Sequence, residues 1–221
     1  HRTYGSWGNC VTAEMYDGVF SSYSNHGMAG RNSSSFYNEG RLEAVLLSIA
    51  PGDYVTVNMG INTDKSGAEP YEQLMEYYYV QGIIQRGGIP VILTHTPQNP
   101  VGNYVGNYDA ATGTFNCSRA GDGRVEFLRS LATKYELDLI DIGKWGNDFF
   151  NSLEATPETL ALANTQNKDV EGYKAPETVY ELVASWSPDH NHYTAELGTI
   201  YAEYILGELD TIVNGGSIDP T

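Results

Sequence analysis

The chain has 221 residues, 41% of them hydrophobic, and its 28 acidic against 12 basic side chains leave a net charge of −16. That length suits one domain with a substantial core, whereas the charge excludes nucleic-acid binding through a basic face and disfavours an anionic membrane as partner. No apolar run is long enough to span a bilayer, and the polar opening "HRTYGSWGN" reads as a mature or trimmed start rather than a signal peptide.

In chain order, four short apolar runs bounded by turn signals read as buried parallel strands. They are "GVFSSYSNH" (18–26, the weakest), "DYVTVNMG" (53–60), "IPVILTHT" (89–96) and "LDLIDIG" (137–143). Helical patterns fall between them. "NEGRLEAVLLSIAPG" sets Leu42, Val45, Leu46 and Ile49 on one face and stops at Pro51-Gly52. "YEQLMEYYYVQGIIQRGG" is a second helix, closed by Gly87-Gly88. "GRVEFLRSLATKYEL" and "TAELGTIYAEYILGELDTIV" follow. This alternation predicts an α/β fold, a three-layer α/β/α sandwich around a mostly parallel, flavodoxin-like sheet.

Residues 98–123 and 155–182 fit no element and read as long loops. A single domain is expected over 1–212, with 213–221, ending "NGGSIDPT", as a linker stub towards other domains. Cys10 and Cys117 allow at most one internal disulfide. Few lysines beside much Tyr, Asn, Gly and Ser point to a secreted, extracellular protein.

The polar residues that draw attention lie after the strands, where such folds bind ligands. Gly30, in "GMAGRNSSSF", could bring backbone N–H groups to an oxygen, or simply form a tight turn before a Ser N-cap. Asn62 could donate to a developing oxyanion, or be a turn residue. In "SPDHNHYT", Asp189 and His192 are spaced so that the carboxylate can orient the imidazole as a general base. A metal site from Asp189, His190, His192 and His95 competes with that reading but lacks a further carboxylate or Cys ligand. An ordinary polar turn is the third alternative.

Together these stretches resemble the SGNH (GDSL-type) hydrolase superfamily, and within it the rhamnogalacturonan acetylesterase-like carbohydrate esterases of family 12. "NHGMAGRNSSSFYNEGRL" is similar to that family's A-G-R-S-S-x-S-F block, and "DYVTVNMGIN" to the strand before its G-H-N-D. "VILTHTPQNP" resembles the next strand and loop, and "SPDHNHYTAELG" the D-x-x-H block. The resemblance runs from about Tyr4 to Leu209. It implies oxyanion donors at Gly30 and Asn62, a base at His192 oriented by Asp189, and His190 as a bystander. Ile61 and Thr63 depart from the family's His and Asp.

The family's G-D-S nucleophile is absent, because only 28 residues precede Ala29 and the first strand finds no counterpart. The serine is expected upstream of His1. Ser6 or Ser217 as a replacement, or a pseudo-enzyme that binds glycan without turnover, are the alternatives. The resemblance implies a serine esterase that needs no metal or organic cofactor and removes acetyl groups from a plant cell-wall polysaccharide or oligosaccharide. Arg31 could hold a uronate or cap a loop, and Trp186, with Tyr104, Tyr108 and Trp145, could stack on sugar rings, though Trp and Tyr are more often partly buried core. A chain of this acidity repels polygalacturonate, so acetylated xylan stands beside pectic rhamnogalacturonan as substrate. The G-x-S-x-G elbow of α/β-hydrolases is absent.

Overall fold

A computed structural model describes residues 6–62, 70–97, 100, 107–118, 123–163, 169, 171–187 and 192–216. The protein is α/β, with a parallel sheet among many helices, and its residues gather into two compact units interleaved along the chain. One, here the sheet unit, comprises Ser24–His95, Ala120–Asp141 and Asn214–Thr221; the other, the helical unit, comprises His1–Tyr23, Thr96–Arg119 and Ile142–Val213.

Among the described residues the sheet unit carries three parallel strands, Tyr54–Val57, Ile89–Leu93 and Leu139–Ile140, with Ile89–Leu93 in the middle. Thr56 lies opposite Val91, and Ile92 opposite Leu139. Pro90 through Leu93 are all buried, as a central parallel strand requires. Pro90 is tolerated in that strand because its side facing Leu139–Ile140 begins pairing only at Ile92, whose N–H reaches the Asp138 carbonyl at 2.9 Å.

The expected helix faces are present. Leu42 is buried in the core, and Val45, Leu46 and Ile49 pack against it from Arg41–Ser48 and the residue after it. The helix from Tyr71 to Gln85 ends as anticipated at Gly87, whose φ of 75° only glycine adopts readily. Its middle, Leu74–Val80, is π-helical, a widening that the apolar pattern did not announce. Gly123–Tyr135 completes the core with Val125, Leu128, Leu131 and Ala132.

The weakest expected strand, 18–26, is a turn followed by irregular chain. Ser21, Ser22, Ser24, Asn25 and His26 are all exposed there, and a parallel strand covered on both faces cannot carry so many polar side chains. The last expected strand is shorter than its apolar run, because a helix, Ile142–Ser152, starts two residues after Ile140.

A polar network ties the carboxyl ends of all three strands together. Asn58 Nδ2 donates to the Thr94 carbonyl at 2.9 Å, and Thr94 Oγ1 to Asp141 Oδ1 at 2.8 Å. Arg129 grips the other Asp141 oxygen through Nε and Nη2 at 3.1 and 2.6 Å, and Glu126 through Nη1 at 2.6 Å. Burial works to lower the Arg129 pKa, but Asp141 and Glu126 outweigh it and raise it. Asp141→Ala removes charge-assisted bonds at a site only 9% exposed and is expected to cost about 2–3 kcal/mol in urea unfolding. Asp141→Asn, which keeps an acceptor for Thr94, is expected to cost less.

The helical unit is organised by Ala195–Val213, whose buried residues Leu197, Tyr201, Ile205 and Leu209 recur every fourth position. The segment "SWGNCVTAEMYDG" forms two short helices, Trp7–Cys10 and Ala13–Tyr16, and the first packs on Gly198 so closely that an added Cβ would lie 2.8 Å from Cys10 Sγ. Within the two stretches expected as loops lie a small antiparallel hairpin, Tyr108–Asp109 with Thr114–Phe115, and the helix Pro157–Leu160, while a further helix, Val179–Ser185, starts in the second stretch and runs past its end. Thr178 and Glu181 close a capping box on the latter, which the pattern T-x-x-E carries in the sequence. No helix among the described residues is long and apolar enough to cross a membrane.

Candidate functional site

In the sheet unit two loops meet. The first turns at Gly30, with φ 71°, and leads into the helix Ser33–Asn38. Its N-cap is Asn32 rather than a serine: Asn32 Oδ1 accepts from the Ser35 N–H at 2.7 Å, and Ser35 Oγ accepts from the Asn32 N–H at 3.0 Å. The second loop leaves the strand Tyr54–Val57 and passes through Gly60, at φ 119°, to Asn62. Asn62 Nδ2 donates to the Arg31 carbonyl at 3.3 Å, so the structure brings Asn62 beside the residue that follows Gly30. Both Gly30 and Asn62 are exposed.

The second loop is held from beneath. The Tyr71 hydroxyl donates to the Met59 carbonyl at 2.8 Å, and His95 Nε2 lies 3.0 Å from the same oxygen. His95 is buried, with Nε2 against that carbonyl, which leaves it poorly suited to the metal set considered with Asp189, His190 and His192. Among the described residues no three His, Cys, Asp or Glu side chains cluster as metal ligands would.

Arg31 is paired with Glu39, at the C-terminal end of the helix Ser33–Asn38. Its Nε meets the two Glu39 oxygens at 3.0 and 3.1 Å, and Nη1 donates to the Ala29 carbonyl. Glu39 also takes Arg41 Nε at 2.6 Å, and the hydrogen bonds from Arg41 and Arg31 lower its pKa. A uronate reaching Arg31 therefore competes with Glu39 for the same guanidinium.

In the helical unit His192 is exposed, one residue before Tyr193 and two before Thr194. Asp189 and His190 lie outside the described residues, as do Tyr104 and Ser217. The chain on either side of "SPDHNH" is clamped: the Thr194 N–H donates to the Trp186 carbonyl at 2.7 Å. Trp7 N–H donates to the Tyr193 hydroxyl at 3.0 Å, and burial pushes that phenol up to about 12.

Trp186 corrects an expectation. Its relative exposure is 0%, its indole N–H donates to the Leu162 carbonyl at 3.1 Å, and Phe149 and Phe150 pack on it. A ring so enclosed is core and offers no face to a sugar. Trp145 stacks on Tyr204 with centroids 3.9 Å apart, and Tyr108 contacts Tyr180 at 4.6 Å. Cys10 and Cys117 are both free thiols, and burial pushes Cys117 up to about 12.

Sequence reasoning passed over Tyr71, Tyr79 and the Asn58–Thr94–Asp141 network. The tyrosines look like ordinary core positions of an amphipathic helix, and only their hydroxyl partners, distant in sequence, distinguish them.

Comparison with known proteins adds relatives to this geometry. The chain is 31% identical over 97 residues to a probable rhamnogalacturonan acetylesterase, YesY, of Bacillus subtilis, and 31% identical over 91 residues to the rhamnogalacturonan acetylesterase RhgT of the same organism. Over these segments the chain is similar to rhamnogalacturonan acetylesterases. The aligned segments take in 41% and 40% of this chain but only 44% and 38% of the relatives, less than half their length. No protein-family model matches. The crystal structure of YxiM from Bacillus subtilis superposes with a TM-score of 0.65 at 19% identity, over 97% of this chain and 52% of that one. That likeness shows a shared fold, in line with the α/β architecture expected from the sequence.

Proposed function

We propose that the protein is an extracellular serine esterase that removes acetyl groups from a plant cell-wall polysaccharide, pectic rhamnogalacturonan or xylan. The supporting observation is the hydrogen bond from Asn62 to the Arg31 carbonyl, which holds an amide donor beside the Gly30 turn. The names of the two curated relatives support the class of reaction.

On this reading a serine attacks the acetyl carbonyl while His192, oriented by Asp189, takes its proton. The Gly30 N–H and Asn62 Nδ2 donate to the oxyanion of the tetrahedral intermediate. The sugar hydroxyl leaves with the proton from His192, and water then releases acetate from the acyl-serine. Arg31 orients an acidic substrate by exchanging Glu39 for the substrate's carboxylate.

Acetate release from acetylated rhamnogalacturonan and acetylated xylan, measured with the full-length protein, tests the reaction and ranks the substrates. Asn62→Ala is expected to lower kcat by about 10²–10³-fold with KM little changed. Equal turnover by the variant would remove Asn62 from the mechanism. Labelling with a fluorophosphonate, followed by peptide mapping, locates the serine.

The alternative is glycan binding without turnover, by a pseudo-enzyme or by an inactive fragment awaiting its G-D-S strand. That reading predicts affinity for the polysaccharide, no acetate release and no effect of His192→Ala.

A further inference from the structure

We propose that Tyr71 and Tyr79 are positioning residues that set the two oxyanion donors, a role that rests on the esterase reading above. Both sit on the helix whose middle is π-helical, and both are buried. Tyr71 donates its hydroxyl to a loop carbonyl and Tyr79 to the first residue of the helix Ser33–Asn38, neither to its own helix. The Tyr79 hydroxyl reaches the Ser33 carbonyl at 3.0 Å, in the first turn after Gly30–Asn32. The Tyr71 hydroxyl reaches the Met59 carbonyl at 2.8 Å, three residues before Asn62.

The π-helical stretch explains how one helix serves both loops. In a regular α-helix, side chains eight residues apart diverge by about 80° around the axis. The i→i+5 bonding of Leu74–Val80 widens the turn and reduces the rotation per residue, drawing Tyr79 back towards the side of Tyr71. Swollen turns of this kind cost hydrogen-bond regularity and concentrate at functional sites. The Asn62 loop is also fitted closely to its support: a Cβ on Gly60 would lie 2.8 Å from the Tyr71 hydroxyl.

A donor contributes to an oxyanion hole only when it is aimed at the oxygen's position in the intermediate, and small displacements cost rate rather than binding. Losing either hydroxyl leaves the ring to fill the core but removes one anchor, leaving His95 alone against the Met59 carbonyl or the Asn32–Ser35 capping box alone at the start of the helix Ser33–Asn38.

The test is steady-state hydrolysis of 4-nitrophenyl acetate by the full-length protein and its Tyr71→Phe, Tyr79→Phe and Tyr135→Phe variants, with melting temperatures alongside. Tyr135 is the control. Its hydroxyl bonds Glu76 on the same helix at 2.7 Å and accepts from Gln81 at 2.7 Å, touching neither loop. Tyr71→Phe and Tyr79→Phe are each expected to lower kcat about tenfold with KM within about twofold, and the double variant about a hundredfold. Tyr135→Phe is expected to keep wild-type kcat despite a comparable change in melting temperature. Wild-type kcat in both loop-anchoring variants, or an equal loss in Tyr135→Phe, overturns the inference while leaving the esterase reading standing. A wild-type protein that hydrolyses neither this ester nor an acetylated glycan overturns both.

Discussion

Alanine in place of His192 is expected to lower kcat for acetate release by about 10⁴-fold or more, with the fold undisturbed. The size follows from its proposed role: without a base the serine must attack as a neutral hydroxyl, and without the imidazolium the sugar oxygen leaves unprotonated. The stability side follows from exposure. His192 lies at the surface, where substitutions away from caps and buried networks change stability by about half a kcal/mol or less. Unchanged unfolding with lost turnover would separate catalysis from structure. Residual kcat within about tenfold of wild type would exclude His192 as the base. Asp189→Asn is expected to follow the same direction, because an amide at that position favours the wrong tautomer.

Gly60→Ala should have the largest effect in the sheet unit, acting on stability and turnover together. At φ 119° an L-residue is strained whatever the space, and the new methyl would meet His95 Nε2 at 2.6 Å and the Tyr71 hydroxyl at 2.8 Å. Backbone strain and overpacking together cost about 2–4 kcal/mol. For a chain of this size each kcal/mol lowers Tm by about 2–4 °C, so thermal unfolding reads the change directly. Because Asn62 is two residues on, kcat is expected to fall as well. His95→Ala in the same chain removes the contacts with the imidazole but neither the Tyr71 hydroxyl nor the backbone strain, so it should restore only part of the loss. Full recovery would mean that the collision, not φ, is what glycine avoids.

The arrangement around Gly60 also shows where reading the sequence stopped. Asn62 and Gly30 stand out through the blocks that resemble the SGNH hydrolases, since each by itself also reads as an ordinary turn residue. Tyr71 and Tyr79 do not, since a tyrosine on the apolar face of a helix is read as core, and its hydroxyl partner lies 12 or 46 residues away. For Trp186 the sequence allows a sugar platform or buried core, and Phe149 and Phe150, 37 and 36 positions earlier, decide for the core. The strand expected at 18–26 came from Val19, Phe20 and Tyr23 alone. Their polar neighbours were the better guide.

Local chemistry by itself determined the α/β alternation, the face Leu42–Val45–Leu46–Ile49, the stop at Gly87 and the long C-terminal helix. Each depends on periodicity or on a backbone angle available to one residue type, and both are written in consecutive positions. The widened turns of Leu74–Val80, the Asn58–Thr94–Asp141 latch and the burial of Trp186 were decided only by tertiary structure. Hydrogen bonds and ring contacts such as these gain their strength from exclusion of water by elements far away in the chain, and no local pattern records which carbonyl or which ring a buried side chain will meet.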